Sequence, residues 1–250
     1  MTLLKRSGLS ALGLGIESGN QSELTLFKKG VTLEDNYRIM EFIRQHDLRV
    51  FVGFINFTPY SDIDSLRSNL DFLENFGLPF SFFTSLEVYG NTSIHSRLSN
   101  DKKLNLHYSK DGGTEYSYAN THIGDFYQHL NTCIHELEQS HPGLFNTLNQ
   151  KNKIIPLQMF YYKTKVEKYN DEILTGLYTR NQTKYEILNK KLCSLLFNWI
   201  RDNLDVLESK HHFRFFSDLE IQQLLILYKQ YLSVYDDLHR IAWLIGDAHE

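Results

Sequence analysis

The chain has 250 residues, 42% of them hydrophobic, with 26 basic and 30 acidic side chains and a formal net charge of -4. That balance lacks the basic footprint of a nucleic-acid binder, and no apolar run reaches the roughly 18 residues that cross a bilayer. The opening MTLLKRSGLS does not read as a secretory signal, and two cysteines, Cys133 and Cys193, are too few for a disulfide framework or a cysteine-ligated cluster, so a reducing cytoplasm is the default.

The first element is ALGLGIESGN. Leu12, Leu14 and Ile16 fall on one side of a period-two segment, and Gly13, Gly15 and Glu17 on the other. This reads as a buried strand ending in a polar, glycine-flanked corner. VTLEDNYRIMEFIRQH follows as a helix, with Thr32 as N-cap and Asp35 completing a capping-box-like pair. LRVFVGFINF is apolar on both faces, the pattern of a parallel strand covered on both sides. Ser61 is placed to cap the next helix, whose stripe is Ile63, Leu66, Leu70 and Leu73, and Gly77 to end it. PFSFFTSLEVY reads as a third strand and NTSIHSRL as the start of a third helix. Strand centres near Ile16, Val52 and Phe83 are 36 and 31 residues apart, the length of a strand–helix–strand unit with right-handed crossovers.

After residue 100 the pattern changes. NDKKLNLHYSKDGGTEYSYAN is polar, with Gly112 and Gly113 marking a turn, and from Thr121 onward the chain reads as helical. Three apolar stripes follow: Ile123 to Leu137, Leu174 to Ile200, and Leu224 to Leu238. Pro142 and Pro156 are expected to separate helices. The fold class is therefore α/β: three parallel strand–helix units forming a partial barrel, then an all-α region. The expected divisions are 1–100 for the partial barrel, 101–120 for a polar connection and 121–250 for the helical extension.

Ligands in parallel α/β folds bind at the carboxyl ends of the strands. Glu17 and Ser18 sit at such an end, above two glycines that leave room for close approach. A carboxylate accepts from hydroxyl or amino groups, which suits a ribose or an amino-acid moiety. The alternative is that Glu17 caps the following short helix and the glycines serve packing alone. His122, His129 and His135 share a helical segment, but the step from 129 to 135 is not the i, i+4 spacing of helical zinc sites. His211 and His212 read as a loop or helix boundary, and Asp236 and Asp237 as a solvated face.

These residues also carry a resemblance. GIESG followed by a helix of the form Leu…KG.T.E.N resembles the fourth barrel strand and ribose-contacting loop of radical S-adenosylmethionine enzymes, above all those with an upstream cobalamin-binding domain. VGFINFTPYSDIDSLRSNLDFL resembles their fifth strand and helix, and LEVYGNTSIHSRL their sixth strand with its YPGTP loop. The likeness covers roughly residues 8 to 100, and the three motifs stand in the family's order. It departs at Thr58, where the family has aspartate, at Asn56, where it has methionine, and at Tyr89–Ser93, which reads YGNTS.

The resemblance implies that Glu17 and Ser18 contact the ribose or methionine portion of S-adenosylmethionine. It further implies that Gly53 and Ile55 lie against the adenine, and that Asn56, Tyr60 and Tyr89 face substrate or cofactor at the mouth. The family's Cys-x3-Cys-x2-Cys run, which binds a [4Fe–4S] cluster, is absent, and Cys133 and Cys193 match nothing in it. The chain then corresponds to the second half of a barrel. The cluster, and a cobalamin, would come from an N-terminal half carried by a separate chain. By itself the chain is expected to be catalytically inactive, and its open strand edge is expected to draw a partner or a second copy. The substrate, a small molecule or peptide, is left unassigned. A non-catalytic scaffold or binding subunit derived from such an enzyme is the alternative.

Overall fold

The structure is a computed structural model that describes residues 11–46, 48–101, 107–108, 114–209 and 213–246. Gly112, Gly113, His211, His212 and the first ten residues lie outside these.

Strand β1 (Ala11–Glu17) pairs in parallel with β2 (Arg49–Phe54), Ala11 opposite Arg49 and Gly15 opposite Gly53. The register slips between Gly15 and Glu17. Between the strands run α1 (Gln21–Leu26) and α2 (Leu33–Gln45). The Thr32 side chain accepts from the Asp35 N–H and Asp35 accepts from the Thr32 N–H, the reciprocal pair expected from sequence. After β2 comes α3 (Ile63–Phe76), which Gly77 ends with a left-handed φ of 67°. Helix α4 (Ser93–Asn100) is capped by Thr92. A two-residue antiparallel pair, β3 (His107–Tyr108) with β4 (Thr114–Glu115), leads to four long helices. These are α5 (Thr121–Ser140), α6 (Leu144–Tyr169), α7 (Glu172–Ser209) and α8 (Asp218–Leu244).

One buried cluster runs from Ile16 and Phe54 at the strands, through Leu66, Leu70, Phe72 and Leu73 of α3, to Trp199 of α7 and Leu238 of α8. Helix α3 is thus the shared wall between sheet and bundle. On the sheet side Phe72 joins α3 to α2 and β2, with its ring centroid 4.9 Å from both Tyr37 and Phe76 and 6.0 Å from Phe54. Edge-to-face and offset pairs of this kind add about 0.5–1.5 kcal/mol each beyond area burial.

Four sequence expectations are corrected. The third strand is not a strand along most of its length: Pro79–Phe83 is a 3-10 turn, and Ser85 makes an isolated parallel bridge with Phe57, outside the two-stranded sheet. Pro79 favours a turn start directly after the Gly77 stop, Phe80 and Phe82 are buried from that turn, and Thr84 Oγ1 closes it on Ser81 O at 2.8 Å. Apolar runs of this length do not by themselves distinguish strand from turn. Second, β2 is covered on one face only among the described residues, since Phe51 is 46% exposed. Third, the cap of α3 is Asp62, boxed with Ser65, because Ser61 is drawn to another partner.

Fourth, Pro142 stands between α5 and α6, as expected, but Pro156 lies inside α6. A proline there leaves the carbonyl four residues earlier without its helical donor. That carbonyl is Asn152 O, and the Tyr185 hydroxyl of α7 donates to it at 3.2 Å. The helix continues because its neighbour supplies the missing bond.

Among the described residues no helix is long and apolar enough to cross a membrane.

Candidate functional site

Both strands end on the same side, β1 in the corner Glu17–Asn20 and β2 in the loop Asn56–Asp62. The corner is tight. Glu17 adopts a left-handed φ of 66°, which costs a residue with a Cβ about 1–2 kcal/mol. The Ile55 N–H donates to Glu17 O at 2.7 Å, tying the corner to the end of β2. The Glu17 carboxylate folds back over Gly15: a Cβ on that glycine would meet Glu17 Oε1 at 2.6 Å and Lys29 Nζ at 3.3 Å. Lys29 Nζ pairs with Glu17 Oε1 at 2.5 Å. Glu17 does not cap α1, since Asn20 does so through the N–H groups of Ser22 and Glu23. The capping alternative for Glu17 is thereby overturned.

Beneath the rim lies a buried polar network. Ser18 is fully buried and has one proton with three acceptors in reach, Glu23 Oε2 at 2.6 Å, Asn69 Oδ1 at 2.9 Å and, at the limit, Asn20 O at 3.5 Å. The Ser18 oxygen also accepts from the Asn20 N–H at 2.9 Å. Asn69 of α3 accepts from the Gly19 N–H at 2.7 Å and donates from Nδ2 to Glu23 Oε2 at 3.0 Å. Asn36 of α2 donates to Ile16 O at 3.0 Å and Ser18 O at 3.1 Å. On the β2 side, Ser61 donates to Glu23 Oε1 at 2.9 Å and accepts from the Thr58 N–H at 2.9 Å.

Glu23, 4% exposed, is the hub. Burial pushes its pKa above the ordinary carboxyl range, the hydrogen bonds from Ser18, Asn69 and Ser61 pull it back, and Asp62 pushes it up further.

The remaining sequence candidates separate into groups. Gly53 faces Gly15 in the strand register, and with Gly13 these glycines alternate onto the same face of the pair as the exposed Phe51. Ile55 and Tyr60 pack on a small second cluster of Leu86, Val88 and Leu98. The Arg97 guanidinium lies 5.0 Å from the centre of the Tyr60 ring, and burial raises that phenol's pKa. Asn56 is fully buried, its amide donating to Phe82 O at 2.8 Å. Tyr89 is 58% exposed, its hydroxyl donating to Glu87. In the YGNTS loop Asn91 takes the left-handed turn with φ 64°.

The structure therefore brings Glu17, Ser18, Gly53 and Ile55 together at the strand tips, whereas Asn56 points into the core and Tyr89 to the surface. Sequence reasoning missed four members of the site: Lys29, Asn36, Glu23 and Asn69. Lys29 and Asn36 are the Lys and Asn of the KG.T.E.N pattern, so a signal for them was present.

The groove of about 660 Å³ lined by Arg49, Gly77, Lys153 and Tyr185 opens at the amino end of β2, away from the corner. Among the described residues no three His, Cys, Asp or Glu side chains are grouped to hold a metal. Cys133 is buried in α5, with its thiol pushed up to about 12, and Cys193 is half-buried in α7, likewise pushed up to about 12; burial is the main cause for both. Two cysteines on different helices do not make the set of three or four thiolates that an iron–sulfur cluster takes.

A parallel strand pair with a polar corner at its carboxyl ends, joined to a helical bundle, is an α/β arrangement. The comparisons bring out a synthase and solved cobalamin-dependent S-adenosylmethionine radical enzymes as proteins this chain is similar to. The particular likeness is to 4'-phospho-dehydrooxetanocin synthase of Priestia megaterium, 26% identical over 136 residues, which are 53% of this chain and 18% of that protein. Two solved structures of the cobalamin-dependent S-adenosylmethionine radical enzyme OxsB are also similar. One has aqua-cobalamin bound, and matches at 16% identity with a TM-score of 0.48, over 94% of this chain and 38% of its own. The other has aqua-cobalamin and S-adenosylmethionine bound, and matches at 17% identity with a TM-score of 0.48, over 96% of this chain and 38% of its own. The chain thus spans about a fifth of the curated relative's length and well under half of each solved chain. No family model matches.

Proposed function

We propose that this chain supplies the nucleoside-binding half of a barrel for S-adenosylmethionine radical chemistry, with β1, β2 and the Phe57–Ser85 segment as one part of the barrel wall. The observation that carries the reading is Glu17, held at a strained φ with its carboxylate over Gly15, at the point where the family's ribose-contacting motif falls. Strain at a residue with no structural need for it is a mark of a functional position.

S-adenosylmethionine supplies an adenosyl radical when reduced, and the protein's part is to bind and orient it. Here the Glu17 carboxylate would accept hydrogen bonds from ribose hydroxyls or the α-ammonium. Lys29, already beside it, would neutralise the carboxylate before the ligand arrives and then be free for a ligand oxygen. Gly13 and Gly53 leave room for a flat group against the backbone, beside the Glu17 carboxylate that covers Gly15, and Ile55 forms an apolar wall. Ser18 would act from below, since its hydroxyl is fully engaged within the protein. Tyr60 would sit at the rim, and Asn56 and Tyr89 would help shape the loops that carry it.

The reducing cluster has no ligand set in this chain, so it would come from a partner chain bearing the N-terminal half, as would any cobalamin. Among the described residues β1 is paired on one edge only, which leaves its other edge for a partner's strand. Isothermal titration of the purified chain with S-adenosylmethionine tests the binding step. Saturable binding, weakened about tenfold by E17Q without a change in the melting curve, is expected, a tenfold loss being about 1.4 kcal/mol. Absence of binding at up to about 1 mM ligand overturns the reading, since that limit leaves less than about 4 kcal/mol of affinity.

A further inference from the structure

We infer that Glu23 is a positioning residue: its buried carboxyl clasps the Glu17–Asn20 corner to the Asn56–Asp62 loop and holds the two strand-tip segments in one fixed relation. The geometry is specific. The carboxyl receives bonds from three separate pieces of the chain: Ser18 of the corner at 2.6 Å, Asn69 of α3 at 3.0 Å and Ser61 of the second loop at 2.9 Å. Each of these side chains is at most 2% exposed. Each also holds backbone: Ser18 accepts from the Asn20 N–H, Asn69 from the Gly19 N–H, and Ser61 from the Thr58 N–H. Removing the hub therefore unties backbone on both sides.

A carboxyl buried without a cation is costly, and a core that needed only bulk would hold an apolar residue there. The charged group facing it is Asp62, of like sign, and the other side chains that meet it are neutral. Its links survive in either protonation state. When ionised, Glu23 accepts from Ser18, Asn69 and Ser61. When protonated on Oε2, it donates to Ser18, and Ser18 turns its own proton to Asn69 Oδ1 at 2.9 Å. The clasp thus persists while its charge changes. Sequence gave no direct sign of it, because Glu23 stands in a six-residue helix where a glutamate reads as solvated.

The consequence for a ligand rests on the S-adenosylmethionine reading above; the clasp itself does not. Two near-isosteric variants separate linkage from packing. E23Q keeps one acceptor and gains a donor, and E23L fills the same space with no polar atom. Hydrogen–deuterium exchange is followed in segments 16–20 and 56–62. In E23L both segments should exchange about tenfold faster, the equivalent of roughly 1.4 kcal/mol of lost local closure, with E23Q within about threefold of wild type. E23L exchange equal to wild type in both segments, or faster in only one of them, overturns the clasp. Where wild type binds S-adenosylmethionine, E23L should weaken binding about tenfold and E23Q should restore it, as a positioning role requires. Failure of wild type to bind refutes the ligand reading, while the exchange result still decides the clasp.

Discussion

Gly19 lies where the corner touches α3, and its replacement by alanine tests how closely the site is fitted to that helix. A Cβ there would meet Phe72 Cβ at 2.5 Å, Phe72 Cγ at 3.0 Å and Ser68 O at 3.0 Å. Carbon atoms rest at about 3.5–4.0 Å, so corner and helix must part by roughly 1 Å. None of the three atoms is the tip of a flexible side chain, so no rotamer change relieves the overlap. The separation would stretch the Gly19 N–H bond to Asn69 Oδ1, now 2.7 Å, and the Ser18 bond to the same oxygen, now 2.9 Å. Overpacking costs about 1–3 kcal/mol and an unsatisfied buried hydrogen-bonding group about 1–3 kcal/mol, so G19A should lose about 2–6 kcal/mol. Urea unfolding at pH 7 measures this, with G13A as the control, since a Cβ at Gly13 meets nothing within 4 Å. G13A should match or slightly exceed wild type. A G19A loss below about 0.5 kcal/mol, the range of an ordinary surface change, would refute the close-packed corner.

Three further outcomes are expected. At Glu17, with its φ of 66°, E17G should be about 1 kcal/mol more stable than E17A, because both lose the carboxylate and only glycine tolerates that backbone; equal midpoints in thermal melts contradict the strain. Glu23 has a folded pKa above its unfolded one, so its contribution to stability is full below the ordinary carboxyl range and is lost as pH rises through the raised value. Within that window wild type should lose up to about tenfold in the folded-to-unfolded ratio per pH unit, and E23Q should lack this slope; parallel stability–pH curves for the two proteins exclude it. Y185F should cost about 1 kcal/mol by orphaning Asn152 O, and less in a P156A background, where the restored N–H takes over; a double-mutant cycle with no coupling would show that the carbonyl is served by other means.

Elements whose signals are local were legible in the sequence. The Thr32–Asp35 box, the Gly77 stop and the Pro142 break each depend on residues within one turn, and each formed as read. What escaped reading depends on contacts between distant segments. Pro156 breaks a helix on local rules, and only the Tyr185 hydroxyl, on another helix, lets α6 run through it. Ser61 is a sound cap by composition, yet the Glu23 carboxyl, 38 positions earlier, claims its hydroxyl and leaves the cap to Asp62. One sign of the buried network was visible: Asn69 falls within the Leu66, Leu70 and Leu73 face of α3. A polar side chain on an apolar stripe requires a partner, but the stripe cannot say that the partner is Ser18, Gly19 and Glu23.

The sheet sets where a ligand can lie. Leu14, Ile16, Val50 and Val52 pack toward the helical core, while Gly13, Gly15, Phe51 and Gly53 alternate onto the opposite face. A parallel pair normally has both faces covered, and here the described residues cover one. Among the described residues the open face carries the backbone of Gly13, Gly15 and Gly53, and by the same alternation Arg49 and the exposed Phe51. Its glycines lead directly to the Glu17 carboxylate, which rests on Gly15. A flat nucleoside and a covering segment of barrel would therefore meet the same strip. A ligand seated at the corner would contact protein from both sides only once that segment is in place. On the proposed reading, binding by this chain alone should be weaker than binding once the covering segment is supplied, while the dependence on Glu17 stays the same in both.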